Sequence, residues 1–234
     1  MKTAPTVSIV VPTLNEEKYL PDLAASIDAQ TAPPLEVIAV DKSTDTTPQL
    51  IMSYGYTKVA QGQGVATARD QGFEVAKGDI IVSTDADSVL PPTYIEAVQR
   101  VFADPAVAAV FGPVYLSDGP WIARLASRSL FSLFLRFSLL IRRPNLNGMN
   151  FACRASAYRK TGGFNRKLIT GEDVELGYRL QRQGRIVYDP AVKVYTSARR
   201  VKGQGILGFT WYHIKNFLRL ASGRPGSTNF KQFR

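Results

Sequence analysis

Gly78–Pro92 reads GDIIVSTDADSVLPP, and the reading of the whole chain turns on it. Ile80, Ile81 and Val82 form a short apolar run between a glycine and a Pro-Pro stop, the pattern of a buried strand. The chain leaves that strand through Ser83-Thr84-Asp85-Ala86-Asp87. Two carboxylates two residues apart at a strand end are expected to project to one side. Their hard oxygens suit Mg²⁺ or Mn²⁺, commonly held by one or two acids together with substrate phosphates. Asp85 and Asp87 are therefore candidate ligands of a metal–diphosphate site. A capped polar turn uses the same residues, and Asp-x-Asp alone does not separate the two.

Upstream, Val7–Val11 is a β-rich run ended by Pro12, and Asn15 is placed to cap a helix from Glu16 to Ala29. Leu35–Val40 is a second strand with Asp41 directly after it, and Gly64–Ala76 reads as a helix. Downstream, Thr93-x-x-Glu96 has the spacing of a capping box, and Ala106–Phe111 is another strand. Strands alternating with helices at this spacing predict α/β layers with a Rossmann-like, mostly parallel sheet flanked by helices. Ligands of such sheets bind beyond the carboxyl ends of the strands. Asp41, Asp85 and Asp87 are thus expected to share one crevice. No Gly-x-Gly-x-x-Gly follows the first strand and no P-loop lysine motif is present, which argues against a dinucleotide dehydrogenase and a P-loop NTPase.

With 45% hydrophobic and 21% charged residues, the 234-residue chain is globular in composition. A lone cysteine, Cys153, leaves no internal disulfide and fits a reducing compartment. Met1 to Thr6 runs straight into the first strand and is not read as a signal peptide. Charge is split along the chain. Residues 1–118 carry 7 Lys+Arg against 15 Asp+Glu, and residues 119–234 carry 22 against 4. One half suits a cation; the other suits an anionic partner.

Trp121–Arg143 is the longest apolar region, but Arg124, Arg128 and Arg136 make it a poor membrane span. On a helical wheel Ile122, Leu130, Leu133, Phe134, Phe137 and Leu140 gather on one side. Arg124, Ser127, Arg128, Ser132, Arg136 and Arg142 take the other. A helix lying in a membrane interface and a core helix with a solvated basic face both fit. Asn147-Gly148 is a turn signal. Gly171-Glu172-Asp173 opens a helix, where two acids also serve as simple capping. Gly205–Ala221 is a last amphipathic helix with Ile206, Phe209, Ile214, Phe217 and Leu218 on its apolar arc, and the tail from Ser222 is basic.

In this order, Pro12-Thr13-Leu14-Asn15-Glu16, Asp41-x-Ser43-x-Asp45, Ala68-Arg69-Asp70-x-Gly72, Asp85-x-Asp87, Gly162-Gly163-Phe164 and Glu172-Asp173 resemble the family 2 glycosyltransferases, over roughly residues 5–197. The resemblance implies the GT-A fold and a non-processive, inverting enzyme. Pro12, Thr13, Asn15 and Glu16 would line the nucleotide end, with Asp41 on the base and Arg69 nearby. Asp85 and Asp87 would bracket ribose and diphosphate, with Asp87 the closer ligand of Mn²⁺ or Mg²⁺. Asp173 would be the general base and Glu172 would help hold the acceptor. The family often has a histidine after the last core strand; here the stretch reads Tyr195-Thr196-Ser197-Ala198-Arg199-Arg200, and Arg199 or Arg200 can neutralise diphosphate instead. Lys42 departs from the family's second motif, and the Gln-x-x-Arg-Trp motif of processive members is absent.

The expected organisation is a GT-A domain over 1–200, with a nucleotide-sugar half (1–118) and an acceptor half (119–200) containing an amphipathic insertion (119–143). A C-terminal amphipathic helix and basic tail occupy 201–234. The expected activity is transfer from a nucleoside diphosphate sugar, UDP favoured by the family, to a lipid or lipid-linked hydroxyl or phosphate. It would take place on an anionic membrane surface, peripherally on the cytoplasmic face. A soluble transferase acting on a glycan or small molecule, and a non-catalytic sugar-nucleotide binder, are the alternatives. A nucleic-acid surface fits poorly, because long apolar runs separate the arginines. His213 lies among apolar residues.

Overall fold

The computed structural model describes residues 4–222, without the side chain of Arg200 or those of several residues in the last helix. The strands are β1 (Val7–Thr13), β2 (Glu36–Asp41), β3 (Thr57–Ala60), β4 (Ile80–Thr84), β5 (Ser88–Val89), β6 (Val107–Phe111), β7 (Val114–Leu116), β8 (Asn150–Arg154), β9 (Arg185–Tyr188) and β10 (Val194–Thr196). The helices are α1 (Leu20–Asp28), α2 (Thr47–Ser53), α3 (Val65–Val75), α4 (Tyr94–Phe102), α5 (Trp121–Ala126), α6 (Ser132–Leu140), α7 (Ala155–Thr161), α8 (Glu172–Leu180) and α9 (Arg199–Ala221).

Seven strands form one sheet in the order β3-β2-β1-β4-β8-β6-β9, and β5, β10 and β7 form a second, small sheet. β3, β2, β1 and β4 run parallel. β8 enters between β4 and β6 antiparallel to both, so the acidic and basic halves of the chain share one sheet. The continuous apolar character of β1 comes from cover on both faces. Val7, Ile9 and Val11 pack into the layer that holds α1, α2 and α4. Val10 faces the layer that holds α3, α7 and α8, with Phe73, Phe151 and Leu176.

Two expected caps are replaced by other contacts. Helix α1 begins at Leu20, because Asn15 adopts a left-handed φ of 57° and its Oδ1 accepts the Thr44 amide at 2.9 Å. Asn15 therefore ties the β1 loop to the β2 loop. Thr93 makes no side-chain cap; Glu96 accepts the Thr31 hydroxyl at 3.2 Å instead.

Trp121–Leu140 is helical, but a π-helical turn, Ser127–Phe131, interrupts it. An i→i+5 turn shifts the phase of every helical turn C-terminal to it. The buried positions are Ala123, Ser132, Leu135 and Ser138, while Leu130, Leu133, Phe137 and Leu140 are exposed. Ser132, expected on the polar side, is thus buried, and most of the expected apolar side faces outward. Helix α9 begins at Arg199, earlier than expected, and bends at Gly205, whose φ of 72° and ψ of 158° are non-helical. The side chains of Ile206, Phe209, His213 and Ile214, and the tail from residue 223, lie outside the described residues.

Candidate active site

Beyond the carboxyl ends of β1 and β4 lies a cavity of about 460 Å³. Pro12, Thr13 and Glu16 line it from the β1 loop, and Arg69 from α3. Asp85 contributes from the β4 exit, Gly148 from the loop before β8, Glu172 and Asp173 from α8, and Arg199 from α9.

Arg69 is its hub. Its guanidinium meets Glu172 Oε1 and Asp85 Oδ1, each at 2.6 Å, and Nε donates to Ser83 Oγ at 3.2 Å. Burial works against the charge, but Asp85 and Glu172 outweigh it and hold the arginine protonated. The Ser83 hydroxyl in turn donates a hydrogen bond to the Gly148 carbonyl at 2.6 Å. A Cβ on Gly148 would stand 2.6 Å from the Arg69 Cζ, so the guanidinium lies against bare backbone there. The sequence marks Gly148 only as part of a turn; its second role comes from a contact across 79 positions of chain, with no local signal.

Asp173 is oriented by two amides: Gly148 N–H on Oδ2 at 2.6 Å and Val174 N–H on Oδ1 at 2.8 Å. Burial raises its pKa, against the pull of Arg69. Glu172 is pushed up to about 7, by burial first and then by the neighbouring Asp173.

The two acids of the Asp-x-Asp part company. Strand β4 ends at Thr84, so strand alternation does not reach Asp87. Asp85 lines the cavity; Asp87 is not among its lining residues. Asp87 accepts the Thr196 hydroxyl at 3.3 Å, and its Oδ2 lies 2.9 Å from Arg199 Nε. Asp41 also sits beside the crevice and not in its lining. Its Oδ1 takes hydrogen bonds from the Thr13 hydroxyl at 2.9 Å and the Ser43 hydroxyl at 2.6 Å, and Lys58 lies 3.5 Å from Oδ2. That pairing gives Lys58 a reason to stand in the acidic half. Asn15 serves the loop contact described above, Lys42 lines the cavity, and the Arg200 side chain lies outside the described residues.

Asp70 and Gly162-Gly163-Phe164 form a separate lock. Asp70 Oδ1 accepts the Phe164 amide at 2.8 Å and the Tyr158 hydroxyl. Gly163 has φ 84°, and a Cβ there would stand 2.5 Å from Asp70 Oδ1. This pair of motifs fixes α3 against the segment after α7.

Residues 8–162 match the family described as glycosyl transferase family 2. The chain belongs to that family. It is 27% identical over 221 residues to a validoxylamine A glucosyltransferase of Streptomyces hygroscopicus subsp. limoneus, covering 77% of this chain and 49% of that one. It is 28% identical to a pre-mycofactocin glycosyltransferase of Mycobacterium tuberculosis, covering 80% and 42%. This family 2 chain thus spans about half the length of the curated relatives it matches. Among solved structures it resembles a mannosyltransferase from Pyrobaculum calidifontis in complex with GDP-Man and Mn²⁺. That likeness has a TM-score of 0.70, 22% identity and coverage of 96% of this chain and 66% of the other. Glucosyl-3-phosphoglycerate synthase from Mycobacterium tuberculosis, in complex with Mn²⁺, UDP and phosphoglyceric acid, gives a TM-score of 0.65 at 21% identity, covering 95% and 80%. The GT-A fold expected from the sequence is the fold found.

For a divalent cation the donor set is chemically apt but engaged. Asp85 reaches the cavity with Oδ1 on Arg69, and Asp87 and Glu16 both lie against Arg199. Among the described residues no three His, Cys, Asp or Glu side chains converge as a ready metal site. Two acids with substrate phosphates suffice for Mg²⁺-type ions, so the chemistry of Asp85 and Asp87 fits such an ion.

Proposed function

We propose that the chain carries out an inverting, metal-assisted transfer of a sugar from a nucleoside diphosphate sugar, UDP-sugar favoured, to a lipid or lipid-linked acceptor at a membrane surface. The observation that carries this reading is a single cavity joining Glu16, Arg69 and Asp85 at the strand ends to Asp173 on α8. The donor diphosphate would sit at the β1 and β4 exits, near Arg69 and Arg199. Asp85, and Asp87 once released, would hold a cation, which when bound offsets charge on the departing diphosphate. Asp173 would take the proton of the acceptor hydroxyl as that oxygen attacks the anomeric carbon. Two backbone N–H donors and the first turn of α8 support its charged form, against the burial that raises its pKa and suits it to accept a proton. Glu172, held by Arg69, would steady the acceptor wall.

The membrane part rests on α5 and α6. Trp121 (71% exposed), Leu130, Leu133 and Leu140 (79%) present apolar surface beside exposed Arg124, Arg128, Arg136 and Arg142. Apolar insertion flanked by cations suits an anionic lipid interface, here peripheral and on the cytoplasmic side. Among the described residues no helix is long and apolar enough to cross a membrane.

Asp173→Asn tests the chemistry. The variant is expected to bind donor like the parent and to lose about 10²–10⁴-fold in transfer, the usual share of a general base. Turnover within a few-fold of the parent would place the base elsewhere.

A further inference from the structure

The acidic end of the cleft holds a cation of its own. Arg199 lays Nη1 and Nη2 on the two carboxylate oxygens of Glu16, both at 2.8 Å, and its guanidinium carbon stands 5.0 Å from the centre of the Tyr19 ring. Nε reaches within 2.9 Å of Asp87 Oδ2, yet this buried N–H has no aligned acceptor. All three partners are largely shielded: 13% exposure for the Arg199 side chain, 11% for Glu16 and 6% for Asp87. The fold delivers the guanidinium there. β10 pairs with β5, setting Thr196 opposite Ser88, and the Ser197 amide bonds the Asp87 carbonyl at 3.3 Å. The start of α9 is then pinned by Asp118, which accepts the Ala198 amide at 2.6 Å and pairs with Lys202.

We propose that Arg199 is a built-in counter-ion of Glu16 and Asp87 that competes with the divalent cation, so that the cation binds weakly alone and tightly only together with a diphosphate. This rests on the donor reading above. A guanidinium and a divalent cation cannot share one Asp87 oxygen at contact distance without strong like-charge repulsion in a shielded site. The Nε contact to Asp87 lacks the alignment that the two Nη contacts to Glu16 have. Arg199 also lines the cavity, where a diphosphate offers the planar, bidentate partner that arginine favours. Diphosphate arrival would draw the guanidinium off Asp87 Oδ2, the oxygen for which it competes with the metal.

Mn²⁺ binding measured by electron paramagnetic resonance of the free ion tests this without turnover. The parent chain is expected to bind Mn²⁺ weakly alone and more tightly with UDP. Arg199→Gln is expected to bind Mn²⁺ alone about tenfold tighter than the parent, within the usual 5–150-fold range of site coupling, and to gain less from UDP. Arg199→Lys, a point charge without the fork, should fall between and carries the test if circular dichroism shows Arg199→Gln unfolded. Mn²⁺ affinity unchanged in both variants, or an equal gain from UDP in variant and parent, overturns the proposal. UDP binding observed by NMR with unaltered Mn²⁺ coupling defeats the counter-ion role alone. No UDP binding with or without Mn²⁺ defeats the donor reading as well.

Discussion

Arg69 shows how one side chain sets the chemistry of the cleft. It pairs with Asp85 at the β4 exit and with Glu172 at the start of α8, so losing it strands two acids. Arg69→Met is expected to cost about 3–5 kcal/mol in urea unfolding, the usual penalty for breaking a buried pair by removing one partner. A loss under about 1 kcal/mol would mean that the acids re-pair or hydrate. Glu172 supplies a pH signature. Its folded pKa of about 7 lies above its ordinary 4.5, so the folded state binds the extra proton between those values. Stability should therefore fall as pH rises from about 4.5 to about 7, and Glu172→Gln should flatten that slope in unfolding midpoints taken across the range, leaving the share of Asp173 and Glu16, whose pKa values are raised too. Asp173, shifted the same way, should lose base function on acidification. Arg69, Asp85, Glu172 and Asp173 were legible in the sequence from their motifs, and Arg199 as a cation after the last strand; all five line the cavity, whereas Asp41 and Asp87 do not. Gly148, Ser83 and Tyr19 were not legible, since each matters through a partner distant in sequence.

At the scale of elements, the α5–α6 helix is where pattern reading met its limit. Its position was legible from the apolar run between Gly119 and Pro144. Its orientation was not, because a wheel of constant pitch cannot represent the π turn at Ser127–Phe131. The outcome is a buried face of Ala123, Ser132, Leu135 and Ser138, and an outward face of large apolar residues. Leu133→Asp and Leu140→Asp should leave the fold intact, since both positions are exposed. Each should weaken flotation with anionic liposomes by at least about tenfold, given about 1.5–3 kcal/mol for a fully inserted leucine. Flotation unchanged in the double variant would assign this face to another role.

For the molecule as a whole, charge asymmetry along the chain becomes a juxtaposition in space. Strand β8, from the basic half, inserts between β4 and β6 and brings Gly148 against Arg69. The small β5-β10-β7 sheet then carries Arg199 to Glu16 and Asp87. Strands β1, β2 and β4 of the parallel core were legible because each is a mainly apolar run with a turn signal after it, whereas β3, Thr57–Ala60, is short and largely exposed. Strands of two or three residues such as β5 and β7 hold too few positions to show a period, and only their pairing defines them. The central claim is that the crevice beyond β1 and β4 is a nucleoside diphosphate site with Asp85 in its wall. Calorimetric titration of UDP and GDP in the presence of Mn²⁺, on the parent chain and on Asp85→Ala, tests it most directly. The account predicts saturable binding of at least one of the two nucleotides to the parent, and a loss of about tenfold or more in Asp85→Ala, as for a charge-assisted contact worth about 1.5–3 kcal/mol. Binding of neither nucleotide, or equal binding by parent and variant, would contradict it.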